Sequence, residues 1–197
     1  SKGTKTVNFN IRPATVTELK VSSTGEKSVK LSWKKVTGAD SYAIYRYDST
    51  SKKWQRIKTV KAVSFTDSGL ARAKGYSYKV KAVKKTGGKE YISASYSKAV
   101  ETVTKPAKAS CTAKSAGSGS IEVSWKAVGG ASGYEIYSSS NGSDYVKSAK
   151  VGGSQKSAIV SGFEPYSLRM VKVRAYKTVN GKTSYGAFSQ AVMVIVR

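Results

Sequence analysis

Apolar and polar residues alternate along short stretches of this chain with a period of two. Val29, Leu31 and Trp33 are interleaved with Lys30, Ser32 and Lys34, and Tyr42 and Ile44 with Ala43 and Tyr45. The stretch Tyr76, Tyr78, Val80 and Ala82 is interleaved with Ser77, Lys79 and Lys81. Successive side chains of a strand point to opposite faces, so each stretch predicts a strand with one face buried and the other wet, as in antiparallel sheets. No helical spacing of apolar residues is sustained over three turns. Turn signals fall between the runs at Thr37-Gly38, Gly87-Gly88, Gly129-Gly130, Asn141-Gly142 and Asn180-Gly181. The Asn-Gly and Gly-Gly pairs suit hairpin turns whose central residues need positive φ. Several short strands at such spacing within about 90 residues predict a β-sandwich.

The pattern is written twice. Trp33 and Trp125 lie 92 residues apart, and Val29 to Tyr45 aligns without a gap on Ile121 to Tyr137. The match resumes where Val80 to Lys84 meets Val173 to Lys177 and where Ser97 to Val100 meets Ser189 to Val192. A unit of this length is in the size range of a domain with its own core and is too long for a solenoid repeat. The reading is two domains in tandem, 13–104 and 105–197, each opening on a Pro-Ala pair, Pro13-Ala14 and Pro106-Ala107. The joint has no Gly/Ser tract, and Pro106 biases its surroundings toward extended backbone, so a stiff connection is expected. Residues 1–12 stand outside the repeat, yet Thr6 to Arg12 alternates like a strand. A lone strand cannot bury its apolar face. The expectation is the last strand of a preceding domain, with a disordered tail as the alternative.

The Trp of the second strand, the Tyr-x-Ile of the third, and Leu70 six residues before Tyr76 followed by Tyr78, Val80 and Ala82 resemble the fibronectin type III domain. The resemblance covers both repeats. It implies an all-β fold of two tandem immunoglobulin-like antiparallel β-sandwiches. Gly38 to Arg46 and the Tyr96-Ser97 end look most like the fibronectin-type repeats of bacterial surface and secreted proteins. The upstream strand resembles the end of a bacterial immunoglobulin-like domain. The second repeat departs from the pattern at one place: Arg169 stands where the first has Tyr76, and Phe163 where it has Leu70. Either Tyr166 takes over the role of that Tyr or the loop packs differently.

Charge narrows the partners without choosing one. Lys and Arg number 35 against 11 Asp and Glu, a formal charge of +24. The excess is spread, with 19 bases and 7 acids over 13–104 and 13 bases and 4 acids from 105 onward. Such a field attracts any polyanion and keeps copies apart, so the chain reads as monomeric. Anionic cell-wall polymers, sulfated host glycans and anionic membrane surfaces are all candidates. Nucleic acid is disfavoured, because a sandwich offers no recognition helix and no nucleic-acid module is evident. The plain reading is that lysines cover wet strand faces and blunt sheet edges.

Alternation allows a sharper expectation. If Tyr42 and Ile44 point inward, Tyr45 and Tyr47 point outward, and so do Lys79 and Lys81. In the resembled fold these strands are neighbours, so the four residues share an outer face, which the second repeat rebuilds with Tyr137, Lys172, Arg174 and Tyr176. Aromatic planes among bases could stack on sugars or hold anionic polymers. Tyr is also simply a favoured strand residue.

The chain has no His, which removes Ser-His-Asp and Cys-His arrangements and every His-ligated metal site. Cys111 is the single cysteine, so no intramolecular disulfide forms; the repeat places it on Leu19, an apolar position, and a buried structural thiol is expected. Ser49 to Lys52 matches Ser-x-x-Lys and Lys85 to Gly87 matches Lys-Thr-Gly, but the third element of that catalytic set is missing and both fall in predicted turns. The acids show no calcium or zinc spacing, and Asn141-Gly142-Ser143 is a sequon better explained as a turn. No apolar run reaches the length of a membrane span. The chain is therefore expected to be non-catalytic and cofactor-free. Its expected role is an extracellular or cell-surface spacer that displays another domain, the alternative being an adhesion or cell-wall-binding module.

Overall fold

The computed structural model describes residues 12–197. The expected upstream strand therefore lies outside the described residues, apart from Arg12. Among the described residues there are strands and no helix. The first repeat contributes β1 (Lys20–Thr24), β2 (Ser28–Ser32), β3 (Ser41–Asp48), β4 (Lys53–Val60), β5 (Ser64–Ser68), β6 (Gly75–Thr86), β7 (Lys89–Ile92) and β8 (Val100–Val103). The second contributes β9 (Thr112–Gly117), β10 (Ser120–Ser124), β11 (Gly133–Ser139), β12 (Val146–Gly152), β13 (Ser157–Val160), β14 (Leu168–Val179), β15 (Lys182–Tyr185) and β16 (Val192–Ile195).

Each repeat builds one sheet of three strands and one of five. The orders are β1-β2-β5 and β4-β3-β6-β7 with β8 on β6, then β9-β10-β13 and β12-β11-β14-β15 with β16 on β14. The chain divides into two compact units whose longest continuous stretches are Lys30–Thr66 and Tyr76–Glu101 in one and Thr102–Arg197 in the other. The architecture is two tandem β-sandwiches, strand for strand the same.

Burial follows the period of two. In the first repeat Val29, Leu31, Tyr42, Ile44, Tyr78, Val80 and Ala82 are at most 2% exposed. In the second, Ile121, Val123, Tyr134, Ile136, Val171, Val173 and Ala175 are wholly buried, and they form one cluster with Trp125, Val160, Val194 and Val196. Removing such side chains from water is the main stabilising term, about 25 cal/mol per Å² of apolar surface. Cys111 lies against this second cluster as a half-buried free thiol, less enclosed than its repeat position predicted, and burial raises its pKa.

A compact module recurs in both repeats and fixes how the core strands enter. Trp33 packs edge-on against Tyr42 with ring centroids 5.4 Å apart, and Trp125 packs against Tyr134 at 5.1 Å. Between each pair the chain turns tightly. The Ala39 N–H donates to Val36 O at 3.2 Å and the Ala131 N–H to Val128 O at 3.1 Å. The third residue of each turn is a glycine with φ near the left-handed region, Gly38 at 76° and Gly130 at 76°. A side chain there would be strained, which is why both repeats carry Gly. The phenol oxygens close the module, accepting the Val36 N–H at 2.9 Å and the Val128 N–H at 2.7 Å. Both tyrosines are at most 2% exposed, so a core ring also satisfies a turn amide that would otherwise lack a partner. The two modules differ at the indole. Trp125 Nε1 donates to Gln155 O at 3.1 Å, whereas buried Trp33 Nε1 has no acceptor among the described residues.

Two expectations about loops are resolved. Gly87-Gly88 and Asn180-Gly181 are two-residue hairpin turns with positive φ at both positions, closed by the pairs Thr86–Lys89 and Val179–Lys182. Asn141-Gly142 and Gly129-Gly130 are not such turns: only Gly142 and Gly130 have positive φ, a longer loop joins β11 to β12, and β10 and β11 belong to different sheets. Near Arg169, Tyr166 does not take over from the missing Tyr. Its ring is 85% exposed at φ 60°, while the Arg169 guanidinium lies 5.0 Å over Phe163. The loop is packed differently in the second repeat.

Tyr42→Phe and Tyr134→Phe each leave a turn amide buried without an acceptor while keeping the ring. Each is expected to lower the unfolding free energy by about 1–3 kcal/mol, read from urea midpoints at unchanged slope. A loss below experimental error in both variants would show that the phenol oxygen is not the tie.

Candidate functional site

The five-stranded sheets place the outward residues of the sequence reading. In the first repeat β3 pairs antiparallel with β6, setting Tyr45 opposite Lys79 and Ala43 opposite Lys81. In the second, β11 pairs with β14, setting Tyr137 opposite Lys172, Glu135 opposite Arg174 and Gly133 opposite Tyr176. The register of β3 on β4 shifts between Ile44 and Tyr45, and that of β11 on β12 between Ile136 and Tyr137. This bulge falls at the same place in both repeats. It sets Arg56 opposite Tyr45, Trp54 opposite Tyr47 and Lys147 opposite Tyr137. A bulge breaks the strict alternation of a strand and re-aims its side chains. The shift thereby brings Trp54 and Arg56 onto this face.

Cations and rings interleave across the first face. The Tyr47 and Trp54 rings are 5.4 Å apart, and Lys79 Nζ lies 4.4 Å over Trp54 and 5.3 Å from Tyr96. Lys81 Nζ lies 4.3 Å over Tyr96, which meets Tyr45 edge-on at 4.9 Å. Lys81 Nζ also donates to Ala94 O at 3.0 Å. Arg56 forks onto Glu90 at 3.0 and 3.3 Å, and the Glu90 carboxyl is held below its ordinary pKa chiefly by that guanidinium. Neither Lys79 nor Lys81 has a carboxylate partner among the described residues.

The second face is the same ladder with a carboxylate added. Lys172 Nζ stands 3.5 Å over Tyr145 and 4.5 Å over Phe188, and Phe188 meets Tyr137 edge-on at 5.0 Å. The Arg174 guanidinium lies 4.1 Å over Tyr185, 4.9 Å over Phe188 and 5.2 Å over Tyr137. Tyr185 leads on to Tyr176 at 6.3 Å, and Lys150 caps Tyr176 at 4.5 Å. Gly133 lies under Tyr176, where a Cβ would collide with the phenol and with Val151 O. Beneath the rings sits Glu135, 2% exposed, taking Arg174 Nη2 at 2.7 Å and Lys147 Nζ at 3.5 Å. Tyr137 donates its hydroxyl to Glu135 Oε2 at 3.3 Å and accepts from Arg174 Nη2 at 3.0 Å. Burial alone pushes the Glu135 carboxyl up, but the Arg174 and Lys147 charges overturn that and hold it below its ordinary value.

All eight residues read from the sequence, Tyr45, Tyr47, Lys79, Lys81, Tyr137, Lys172, Arg174 and Tyr176, thus take part in the two ladders. The structure adds Trp54, Arg56 and Tyr96 in the first and Glu135, Tyr145, Phe188 and Tyr185 in the second. Tyr96 and Phe188 share a repeat position just before Ser97 and Ser189, a signal the alignment already held. Glu135 has Ala43 as its counterpart, so the repeat could not announce it. Each stacked cation contributes about 0.5–1 kcal/mol at an exposed site, and the rings gain a polar cover. No group of three or more His, Cys, Asp or Glu side chains able to hold a metal occurs among the described residues. No described helix is long and apolar enough to cross a membrane.

No family model matches this chain. A poly(3-hydroxybutyrate) depolymerase from Ralstonia pickettii is 41% identical over 100 residues, which are 51% of this chain and 18% of the depolymerase. The match therefore spans less than a fifth of that enzyme. Among solved structures, a two-domain fibronectin type III segment of chicken tenascin superposes with a TM-score of 0.54 at 18% identity, covering 91% of this chain and 98% of the segment. The FN1–FN3 domains of chicken CNTN1 superpose at 0.43 and 16% identity, covering 93% of this chain and 66% of theirs. The tenascin likeness establishes the fold as tandem fibronectin type III-like sandwiches.

Glu135→Gln tests the carboxylate under the second ladder. A carboxyl whose folded pKa is depressed adds stability above its unfolded pKa and loses it as pH falls through the folded value. At neutral pH the variant is expected to be less stable by about 1–3 kcal/mol. The gap to the parent should close as acid protonates Glu135, and a gap independent of pH would refute the ionic role.

Proposed function

We propose that this chain is a non-catalytic pair of fibronectin type III-like modules serving as an extracellular spacer or display region of a larger bacterial surface or secreted protein. The outer face carries this reading. Its bases are already stacked on its own rings, and Arg174 is also locked to a buried carboxylate. A face built this way keeps a sheet wet, charged and rigid without offering ring faces to a ligand. Both repeats carry it, as expected of a scaffold feature that travels with the unit. The formal charge of +24 adds repulsion between copies and favours a monomer.

Similarity to one stretch of a poly(3-hydroxybutyrate) depolymerase supports an accessory role beside a catalytic domain, because more than four fifths of that enzyme lies outside the match. Sandwiches in series supply reach without a pocket. Upstream domains of the same protein are then its natural partners, and its compartment is outside the cell.

A second reading keeps one specific observation in its favour: among the described residues Lys79 and Lys81 carry charge with no carboxylate beside them. On that reading the two faces hold anionic cell-wall or host glycans.

One comparison separates the readings. Lys79, Lys81 and Lys172 are changed to Gln in one variant, and exposed Lys30, Lys108 and Lys126 in another. Both are loaded on a teichoic acid, a sulfated glycan and DNA at matched charge density. The spacer reading expects equal shifts of release to lower salt and no ranking among the polymers. Selective loss of one polymer by the first variant alone would favour the adhesion reading. On poly(3-hydroxybutyrate) granules the parent chain is expected in the unbound fraction, and retention that survives high salt would overturn the spacer assignment.

A further inference from the structure

The chain contains two Asn-Gly pairs, Asn141-Gly142 and Asn180-Gly181, which are equivalent as sequence. The structure treats them differently. We propose that Asn180 is a site of spontaneous deamidation and that a hydrogen-bond cage spares Asn141.

The reaction needs only water. The backbone nitrogen of the following glycine loses its proton and attacks the side-chain Cγ of Asn. A C–N bond forms, ammonia leaves, and the resulting succinimide is opened by water at either carbonyl to give an aspartyl or an isoaspartyl residue. Gly leaves this path open because it carries no side chain to block the nitrogen. What remains is whether the nitrogen and the Cγ are free to meet.

At Asn141 both are engaged. Its Oδ1 accepts the Ser143 and Asp144 N–H groups, each at 2.9 Å, and the Ser139 hydroxyl at 2.9 Å. Its Nδ2 donates to Asp144 Oδ2 at 2.6 Å. The attacking group is tied as well, since the Gly142 N–H donates to Ser139 Oγ at 2.9 Å. Ser139 is 4% exposed, so its bonds to Asn141 Oδ1 and to the Gly142 N–H are partly sheltered, while those to Ser143 and Asp144 lie at the surface. Cyclisation at Asn141 must first break contacts on both reacting groups.

At Asn180 nothing comparable exists. Asn180 and Gly181 are the whole turn between β14 and β15, at φ 48° and 74°, and both are exposed. The Asn180 side chain makes no hydrogen bond among the described residues. The neighbouring Lys182 and Lys177 add a positive field that favours the deprotonated nitrogen. Deamidation there places a carboxylate between two lysines. The isoaspartyl product also lengthens the backbone of a turn that has room for only two residues.

The test follows both sites in the full chain by peptide mapping and isoaspartyl methyltransferase labelling during incubation at mildly alkaline pH. In the folded protein, conversion at Asn180 is expected to exceed that at Asn141 by about tenfold or more, the effect of breaking one or two net hydrogen bonds. Ser139→Ala opens the cage and is expected to speed Asn141 selectively. In concentrated urea the two sites should convert at comparable rates, which tests the cage even where Ser139→Ala perturbs folding. Asn141 keeping pace with Asn180 in the folded chain overturns the proposal, as does a gap that persists unchanged in urea.

Discussion

The sandwich depends on one tie made twice: a buried phenol that packs on a tryptophan while its oxygen takes the amide of the turn between them. Tyr42 and Tyr134 are core side chains, and burying them is favourable only because their hydroxyls find partners at 2.9 and 2.7 Å. The same bond holds the end of the turn that leads into β3 and into β11. Those strands sit beside β6 and β14, so the tie aligns the strand pairs on which every outward residue of interest is carried. A slip of one residue in these pairings would exchange the inner and outer sets of side chains.

Once those pairings are set, the outer face is a problem of cover. Strands rich in Tyr and Lys leave rings and ammonium groups side by side in water, and the two solve each other's exposure. Lysine ammonium groups lie over the ring faces, so cation and ring cover each other at the surface. In the second repeat the ladder goes further and roofs a carboxylate that is nearly out of solvent. An ion buried this way is stable only with its partners in place, so the face is specified as a set and not residue by residue. That is a reason to see it as architecture first.

The likeness to a depolymerase fits this picture without extending it. The stretch of 100 residues at 41% identity makes up 18% of a much longer enzyme. Function in such chains is carried by sites placed on folds and not by the fold itself. The chain lacks His, and no metal-holding cluster occurs among the described residues.

Local spacing marked the strands through Leu31, Ile44 and Val80 and the internal repeat, because a period of two assigns a face to every position and a duplicated Trp, turn and Tyr reports the same core twice. Three things were decided only by the fold. The bulge after Ile44 brought Trp54 and Arg56 round to the first ladder and the one after Ile136 set Lys147 opposite Tyr137, since a register shift depends on the partner strand and leaves no mark in the strand that carries it. Glu135 became a buried ion because Arg174 and Lys147, distant along the chain, converge on it, whereas alternation alone marks it as merely outward. Identical Asn-Gly pairs became one open turn and one caged loop, since the cage is made of hydrogen bonds whose geometry exists only after the strands have paired.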